Sequence, residues 1–172
     1  PDHLIADRIT AGSLEIRPYL AGSLQPSSYD LRLGPLLLIA EPDGGHREHN
    51  LAADGPYLLY PGTFILGATL EWIRIPDDLV GVLVGKSSRA RDGLIVEAAG
   101  FCDPGWRGVL TLELSNRSPR FVRLQHGMVI CQIRFEQLAA PCARPYGTAG
   151  IDSHYQNSTG PEPSRGVVGR AS

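Results

Sequence analysis

Glycine and proline punctuate this chain at short, fairly even intervals, and that spacing limits what it can fold into. Pro42-Asp43-Gly44-Gly45, Tyr60-Pro61-Gly62, Ile75-Pro76-Asp77-Asp78, Asp103-Pro104-Gly105, Arg117-Ser118-Pro119 and Gln125-His126-Gly127 each hold a residue that pre-sets φ or tolerates a positive φ, so each reads as a turn. The runs between them are rich in Val, Ile, Leu and aromatics and too short for helices: 28–33, 36–39, 63–70, 72–75, 80–84, 94–97, 109–114, 121–124 and 128–135. Such a series predicts an all-β barrel, sandwich or jelly roll. With 172 residues, 42% of them hydrophobic, the chain can fill one such core.

Only two stretches read as helix: 6–14, and a single turn at 88–92 that opens with serines and stops at Gly93. From about Tyr146 onward Gly, Ser, Thr, Pro and Asn dominate, with too little apolar content for a buried element. The chain therefore divides into a β domain over 1–146 and a flexible C-terminal arm over 147–172, whose functional reading is an active-site lid. Sixteen Lys and Arg against eighteen Asp and Glu leave a net charge of −2, which argues against a broad cationic surface for nucleic acid but not against a small anionic ligand. Three cysteines with no C-x-x-C pair point away from a disulfide framework and from a ribbon-type zinc site, and fit a reducing cytoplasm. No apolar run approaches the ~18 residues of a membrane span, and no basic-then-apolar leader opens the sequence, so the expectation is a cytoplasmic protein without a membrane partner.

The densest polar segment is Gly85-Lys86-Ser87-Ser88-Arg89-Ala90-Arg91-Asp92-Gly93, directly after the strand at 80–84. A glycine followed by hydroxyls and cations at the start of a helical turn suits an anion, because unpaired N–H groups face the ligand, and it equally suits a capped surface turn. Ser87 and Arg91 are four apart and share a helical face. In the strand 109–114, Leu110, Leu112 and Leu114 take one face and Val109, Thr111 and Glu113 the other. Glu113 is then either a solvent-facing carboxylate or, if that face is covered, a proton shuttle tuned by burial and a neighbouring cation. Asp103 sits in a tight turn and accepts either from a ligand hydroxyl or from its own backbone. The five histidines form no metal constellation, and His46-Arg47-Glu48-His49 reads as a solvated polar loop. Trp72 and Trp106 read as core or interface residues.

Six strings in order carry a resemblance over nearly the whole chain: Gln25-Pro26-Ser27-Ser28-Tyr29-Asp30-Leu31-Arg32-Leu33-Gly34, the Gly85–Leu94 run, Ala99-Gly100-Phe101-Cys102-Asp103-Pro104-Gly105-Trp106-Arg107-Gly108, Leu110-Thr111-Leu112-Glu113-Leu114-Ser115-Asn116, Gly127-Met128-Val129-Ile130-Cys131-Gln132-Ile133, and Tyr155-Gln156-Asn157-Ser158-Thr159-Gly160-Pro161. Together they resemble the dCTP deaminase family of the dUTPase-like superfamily. The resemblance implies a distorted jelly-roll β-barrel with one or two short helices, a homotrimer with nucleotide sites between subunits, and hydrolytic deamination of dCTP without a catalytic metal. It implies that Glu113 activates the attacking water and carries protons, with Ser87 and Arg91 orienting it and stabilising developing charge. It further implies that Lys86, Ser88 and the neighbouring Arg89 and Ala90 hold the triphosphate with its magnesium ion, that Asp103 holds the 3′-hydroxyl, and that Thr111, Leu112 and Gln132 contact substrate. Tyr146, His154 and Ser158 match contacts in the closing C-terminal region.

The residues themselves favour a metal-free route, since the zinc deaminases need His or Cys beside a catalytic Glu and then P-C-x-x-C, which is missing. The leading expectation is a deaminase that makes dUTP and ammonia. The alternatives are a bifunctional enzyme that continues to dUMP and pyrophosphate, towards which Ala99-Gly100-Phe101 leans, then a plain dUTP pyrophosphatase, then a nucleotide-binding trimer without catalysis. Between Gly93 and Asp103 the chain is about one residue shorter than many relatives and lacks their His-x-Thr, and His154 and Ser158 stand where relatives commonly carry Lys and Gln.

Overall fold

The computed structural model describes residues 1–97 and 100–165. In chain order the elements are α1 (Asp2–Thr10), β1 (Glu15–Arg17), β2 (Leu24–Gln25), β3 (Ser28–Arg32), β4 (Leu36–Ala40), β5 (His46–Asn50), β6 (Tyr57–Leu59), β7 (Phe64–Ala68), β8 (Trp72–Arg74), β9 (Leu79–Gly85), α2 (Ser87–Arg91), β10 (Leu94–Glu97), β11 (Phe101–Cys102), β12 (Arg107–Gly108), β13 (Thr111–Asn116), β14 (Val122–Leu124) and β15 (Val129–Gln137). Two five-stranded sheets, ordered β10-β13-β7-β4-β5 and β11-β9-β15-β3-β2, supply the walls, with a three-stranded β1-β8-β12 sheet and the β14-β6 pair at the ends. Tyr29, Leu31 and Ile133 from one large sheet meet Leu37, Leu112 and Leu114 from the other in a single apolar cluster, each at 0% exposure. The sequence pattern left a barrel, a sandwich or a jelly roll open and the resemblance implied a jelly-roll barrel with one or two short helices; the architecture is the jelly roll, with two short α-helices among the described residues.

A buried ion pair pins the corner between the sheets. Glu71 is fully buried, and its carboxylate accepts from Arg32 Nε at 2.6 Å and from the Arg32 backbone N–H at 2.8 Å. The Thr69 hydroxyl donates to the Glu71 carbonyl at 2.8 Å and accepts the Leu110 N–H at 2.9 Å, which fixes how the chain enters β13. Uncompensated charges in such a place are costly, so each carboxylate oxygen having a donor is what lets Glu71 sit there.

The expected strands omit the short β1, β2, β6, β11 and β12, and three further elements differ from expectation. The first helix spans Asp2–Thr10 rather than 6–14, because Gly12 takes φ 71° and bonds back to the Ile9 carbonyl, which ends the helix before Leu14. The segment read as a polar loop is β5, an edge strand paired with β4 from Leu36↔Asn50 to Ala40↔His46. An edge strand needs only its backbone ladder, so His46, Arg47 and Glu48 form one without apolar alternation. Finally, β13 runs on through Ser115 and Asn116, buried polar residues whose pattern hides a strand; the Asn116 side-chain amide donates to the carbonyls of Leu59 and Arg120.

Candidate active site

Alternation along β13 sends Leu112 and Leu114 into the core and leaves Thr111 and Glu113 on the opposite face, half-buried. That face is covered, and it floors a cavity of about 730 Å³. Apolar walls come from Phe64, Leu66, Leu83 and Phe101, and polar groups converge from Asp103, Thr111, Glu113 and Ser158. Among the described residues Glu113 makes no hydrogen bond or ion pair, so its carboxylate is free for a ligand or a partner chain. The Asp103 carboxylate likewise bonds nothing among the described residues; its turn is closed by the backbone instead, with the Trp106 N–H on the Asp103 carbonyl at 3.1 Å. Of the two sequence readings of Asp103, self-bonding is thus not the one adopted. Trp106 is part of the core and of the cavity wall at once, and its buried indole N–H has no partner among the described residues. Cys102 also lines the cavity, but burial, helped by Asp103, pushes its thiol up to about 12, so at neutral pH it is an inert neutral group.

The described part of the arm lies across this cavity. Ser158 forms a parallel bridge with Gly108, and its carbonyl accepts the Val109 N–H at 3.0 Å. The Gln156 side-chain amide reaches both the Gly105 carbonyl at 2.9 Å and the Arg107 N–H at 3.1 Å. Tyr146 packs on Trp106 with ring centroids 5.4 Å apart, and its hydroxyl accepts the Tyr155 N–H. The Glu162 N–H donates to the Thr111 hydroxyl at 3.2 Å, two residues from Glu113 on the same strand face. His154 stays outside on the surface, near Asp152 at 3.5 Å. Residues 166–172 of the expected arm, and Ala99 of the Ala99-Gly100-Phe101 string together with its neighbour Ala98, lie outside the described residues.

The remaining candidates gather elsewhere. Ser87, Ser88, Ala90 and Arg91 are exposed on α2, which β9 delivers to the far end of the other large sheet. There Lys86 pairs with Asp30 at 2.7 Å, and Gln132, the register partner of Asp30, accepts from the Ser28 hydroxyl at 3.0 Å. Arg89 turns away from this group, donating through Nε to the Val129 carbonyl at 2.9 Å. Leu112 is in the core, so only its backbone is available to a ligand. The candidate residues of one chain thus fall into two groups: Asp103, Thr111, Glu113, Tyr146 and Ser158 line one cavity, whereas Lys86, Ser87, Ser88, Arg91 and Gln132 are not part of that lining. Sequence reasoning missed His46, Tyr155 and Glu162 as cavity residues. Tyr155 stood in a recognisable string, whereas nothing local marks His46 or Glu162.

This strand order with a carboxylate-bearing cavity defines the class, a dUTPase-like jelly-roll barrel. Its backbone is similar to a 2′-deoxycytidine 5′-triphosphate deaminase from Agrobacterium tumefaciens, with TM-score 0.65 and 23% identity over 79% of this chain and 47% of that one, so this chain spans about half of that protein. It is also similar to the EIAV dUTPase, with TM-score 0.53 and 18% identity over 80% of this chain and 99% of that one. The dCTP deaminase-like family model matches residues 1–138, and the chain belongs to that family. Among curated relatives, proteins named "dCTP deaminase, dUMP-forming" from Parafrankia sp. (strain EAN1pec) and Nocardia farcinica (strain IFM 10152) are each 42% identical, covering 95% and 97% of this chain and 88% and 90% of their own lengths.

Proposed function

We propose that this chain is a dUMP-forming dCTP deaminase acting as a homotrimer whose sites are assembled between subunits. The observation that carries the reading is the split just described: Glu113 stands unpartnered in a largely apolar cavity, while the hydroxyl and guanidinium suited to brace it, Ser87 and Arg91, are exposed on α2 of the same chain, outside that lining. A neighbouring copy that brings its α2 to this cavity completes the set. The expectation of a deaminase that stops at dUTP gives way to the dUMP-forming alternative because relatives at 42% identity carry that name.

In this reading Glu113 takes a proton from water as the oxygen attacks C4 of cytosine, then passes protons to the exocyclic amine, which leaves as ammonia. Ser87 and Arg91 stabilise charge that appears only along that path. A second water cleaves the triphosphate, so dCTP and two waters give dUMP, ammonia and pyrophosphate. Magnesium arrives on the substrate's phosphates, and Lys86 with the α2 amides receives them. Asp103 accepts the 3′-hydroxyl, Thr111 and Gln132 contact the nucleotide, and the arm from Tyr146 to Ser158 acts as the lid over it, in the cytoplasm where such nucleotides are made.

The deciding assay incubates the full chain with dCTP or dUTP plus magnesium and follows ammonia, pyrophosphate and nucleotides. Equal ammonia and pyrophosphate with dUMP is the expected result. Accumulating dUTP would return the monofunctional reading, and pyrophosphate from dUTP without ammonia from dCTP would leave a dUTP pyrophosphatase. Glu113→Gln keeps the shape of the side chain but removes the proton carrier, so ammonia release should disappear while the fold persists.

A further inference from the structure

A second groove, of about 620 Å³, opens behind α2 and away from the Glu113 cavity. Its lining includes Arg89, Arg120 and Arg123, with Asp92 as its one carboxylate, and the aromatic residues Tyr60 and Phe121. At about 100° per residue, Arg89 and Asp92 project from the side of α2 opposite Ser87 and Arg91, so the groove and the Ser87/Arg91 pair use different faces of one helix. Nothing in the proposed reaction employs Arg120, Arg123, Tyr60 or Phe121.

These residues are held in place: Arg89 Nε is tied to the Val129 carbonyl, whereas the ends of Arg120 and Arg123 are left open. The β14-β6 pair sets Arg123 opposite Leu58, two residues before Tyr60. Pro61 and Pro119 stiffen both rims. The Arg120 carbonyl is fixed by the Asn116 amide at 2.7 Å and the Ser118 hydroxyl at 2.7 Å, yet the guanidinium groups of Arg120 and Arg123 bond nothing among the described residues. Tyr60 and Phe121, both in the groove lining, are 59% and 57% exposed, so two aromatic faces stand open to a planar group. Three guanidiniums around one concavity repel one another, and an anion with several oxygens relieves that repulsion through charge-assisted hydrogen bonds. The volume lies within the ~300–1,000 Å³ range of small-molecule sites.

We propose that this groove is a second ligand site, which takes the phosphate chain of a nucleoside triphosphate between Arg120, Arg123 and Arg89 and stacks its base on Tyr60 or Phe121. The geometry requires neither Glu113 nor the inter-subunit site, so the inference stands apart from the proposed reaction.

Calorimetric titration of the full chain with inorganic tripolyphosphate and with ATP tests it, at low and moderate salt. Both ligands should bind, with affinity that falls as salt rises. Arg120→Ala with Arg123→Ala should weaken both by about tenfold or more, since each removed cation forfeits a charge-assisted contact. Both residues are exposed, so the fold should survive, which circular dichroism checks directly. Tyr60→Ala with Phe121→Ala should weaken ATP and spare tripolyphosphate. Glu113→Gln should leave both affinities unchanged. Absence of binding, or unchanged affinity in the Arg120/Arg123 double variant, would overturn the site, and equal losses of both ligands in the aromatic double variant would overturn base stacking there.

Discussion

Gly108 and Ser158 pair as a parallel β-bridge, and a side chain on Gly108 would strike that bridge: a Cβ there would lie 2.8 Å from the Ser158 nitrogen and 3.0 Å from its oxygen. The arm is thus docked by backbone on a position that only glycine can occupy without cost, since Gly108 also takes φ 146°.

Gly108→Ala should therefore undock the arm. Strain of about 1–3 kcal/mol at one residue is enough to displace a segment held by few contacts, while the sheets behind it stay paired. The expected outcome is a large fall in nucleotide turnover with a thermal midpoint within a few degrees of the parent. Deleting the chain from Tyr155 onward should reproduce it. A variant that loses stability and activity together would mean that the arm supports the fold rather than the site.

If Glu113 and the Ser87/Arg91 pair come from different subunits, inactive variants should rescue each other. Glu113→Gln and Arg91→Ala are each expected to be inactive alone. Co-expressed in equal amounts and mixed at random, they leave about one site in four with an intact Glu113 from one protomer and an intact Arg91 from its neighbour. Recovery of about a quarter of parental activity is the expected reading, and no recovery would place both residues on one chain's site.

The fold was largely legible because turn chemistry and β-rich runs agreed along the chain, and apolar residues alternate with polar ones over Ser28–Arg32 and over 111–114. What escaped has definable causes. β5 is polar on both faces and carries no hydrophobic signal, so nothing in the sequence marks His46, which is exposed as expected, as a residue that also lines the cavity. The candidate site was legible as a set of residue types but not as a place: Glu113 and Arg91 are 22 positions apart in sequence, and nothing in strand periodicity says that Glu113 lines the cavity while Arg91 stands exposed on α2 outside its lining. Glu162 reaches Thr111 only through tertiary packing of a segment whose composition reads as disordered.

The three thiols should divide sharply by reactivity. Cys102 and Cys131 are buried at 5% and 0% exposure, and burial raises both above the ordinary thiol range, Cys102 to about 12. At pH 8 a thiol titrating there is thiolate in only about one molecule in ten thousand. Cys142 is only half-buried. Titration of the native protein with a thiol reagent should show one reacting group, and three after denaturation. Fast reaction of a second thiol in the native state would mean that the cavity wall at Cys102 opens.

The last tie is electrostatic and has a definite pH signature. Arg8 on α1 grips Asp78 at the start of β9 with two hydrogen bonds, of 3.1 and 2.8 Å, and Gln137 at the end of β15 donates to the same carboxylate at 3.1 Å. The Arg8 guanidinium, then the Gln137 amide, hold the Asp78 carboxyl below its ordinary value of 3.8. A lowered folded-state value means the pairing stabilises the fold fully at pH values above the unfolded-state titration, and that this contribution is lost as pH falls through the folded-state value. Both side chains are partly exposed, so the contribution is about 1 kcal/mol or less. Asp78→Asn should therefore unfold at slightly lower urea concentration than the parent at pH 7 and at pH 5, and the gap should close as pH drops below 4. A gap that widens towards acid would show that the carboxyl is held in its protonated form and that Arg8 is not its dominant partner.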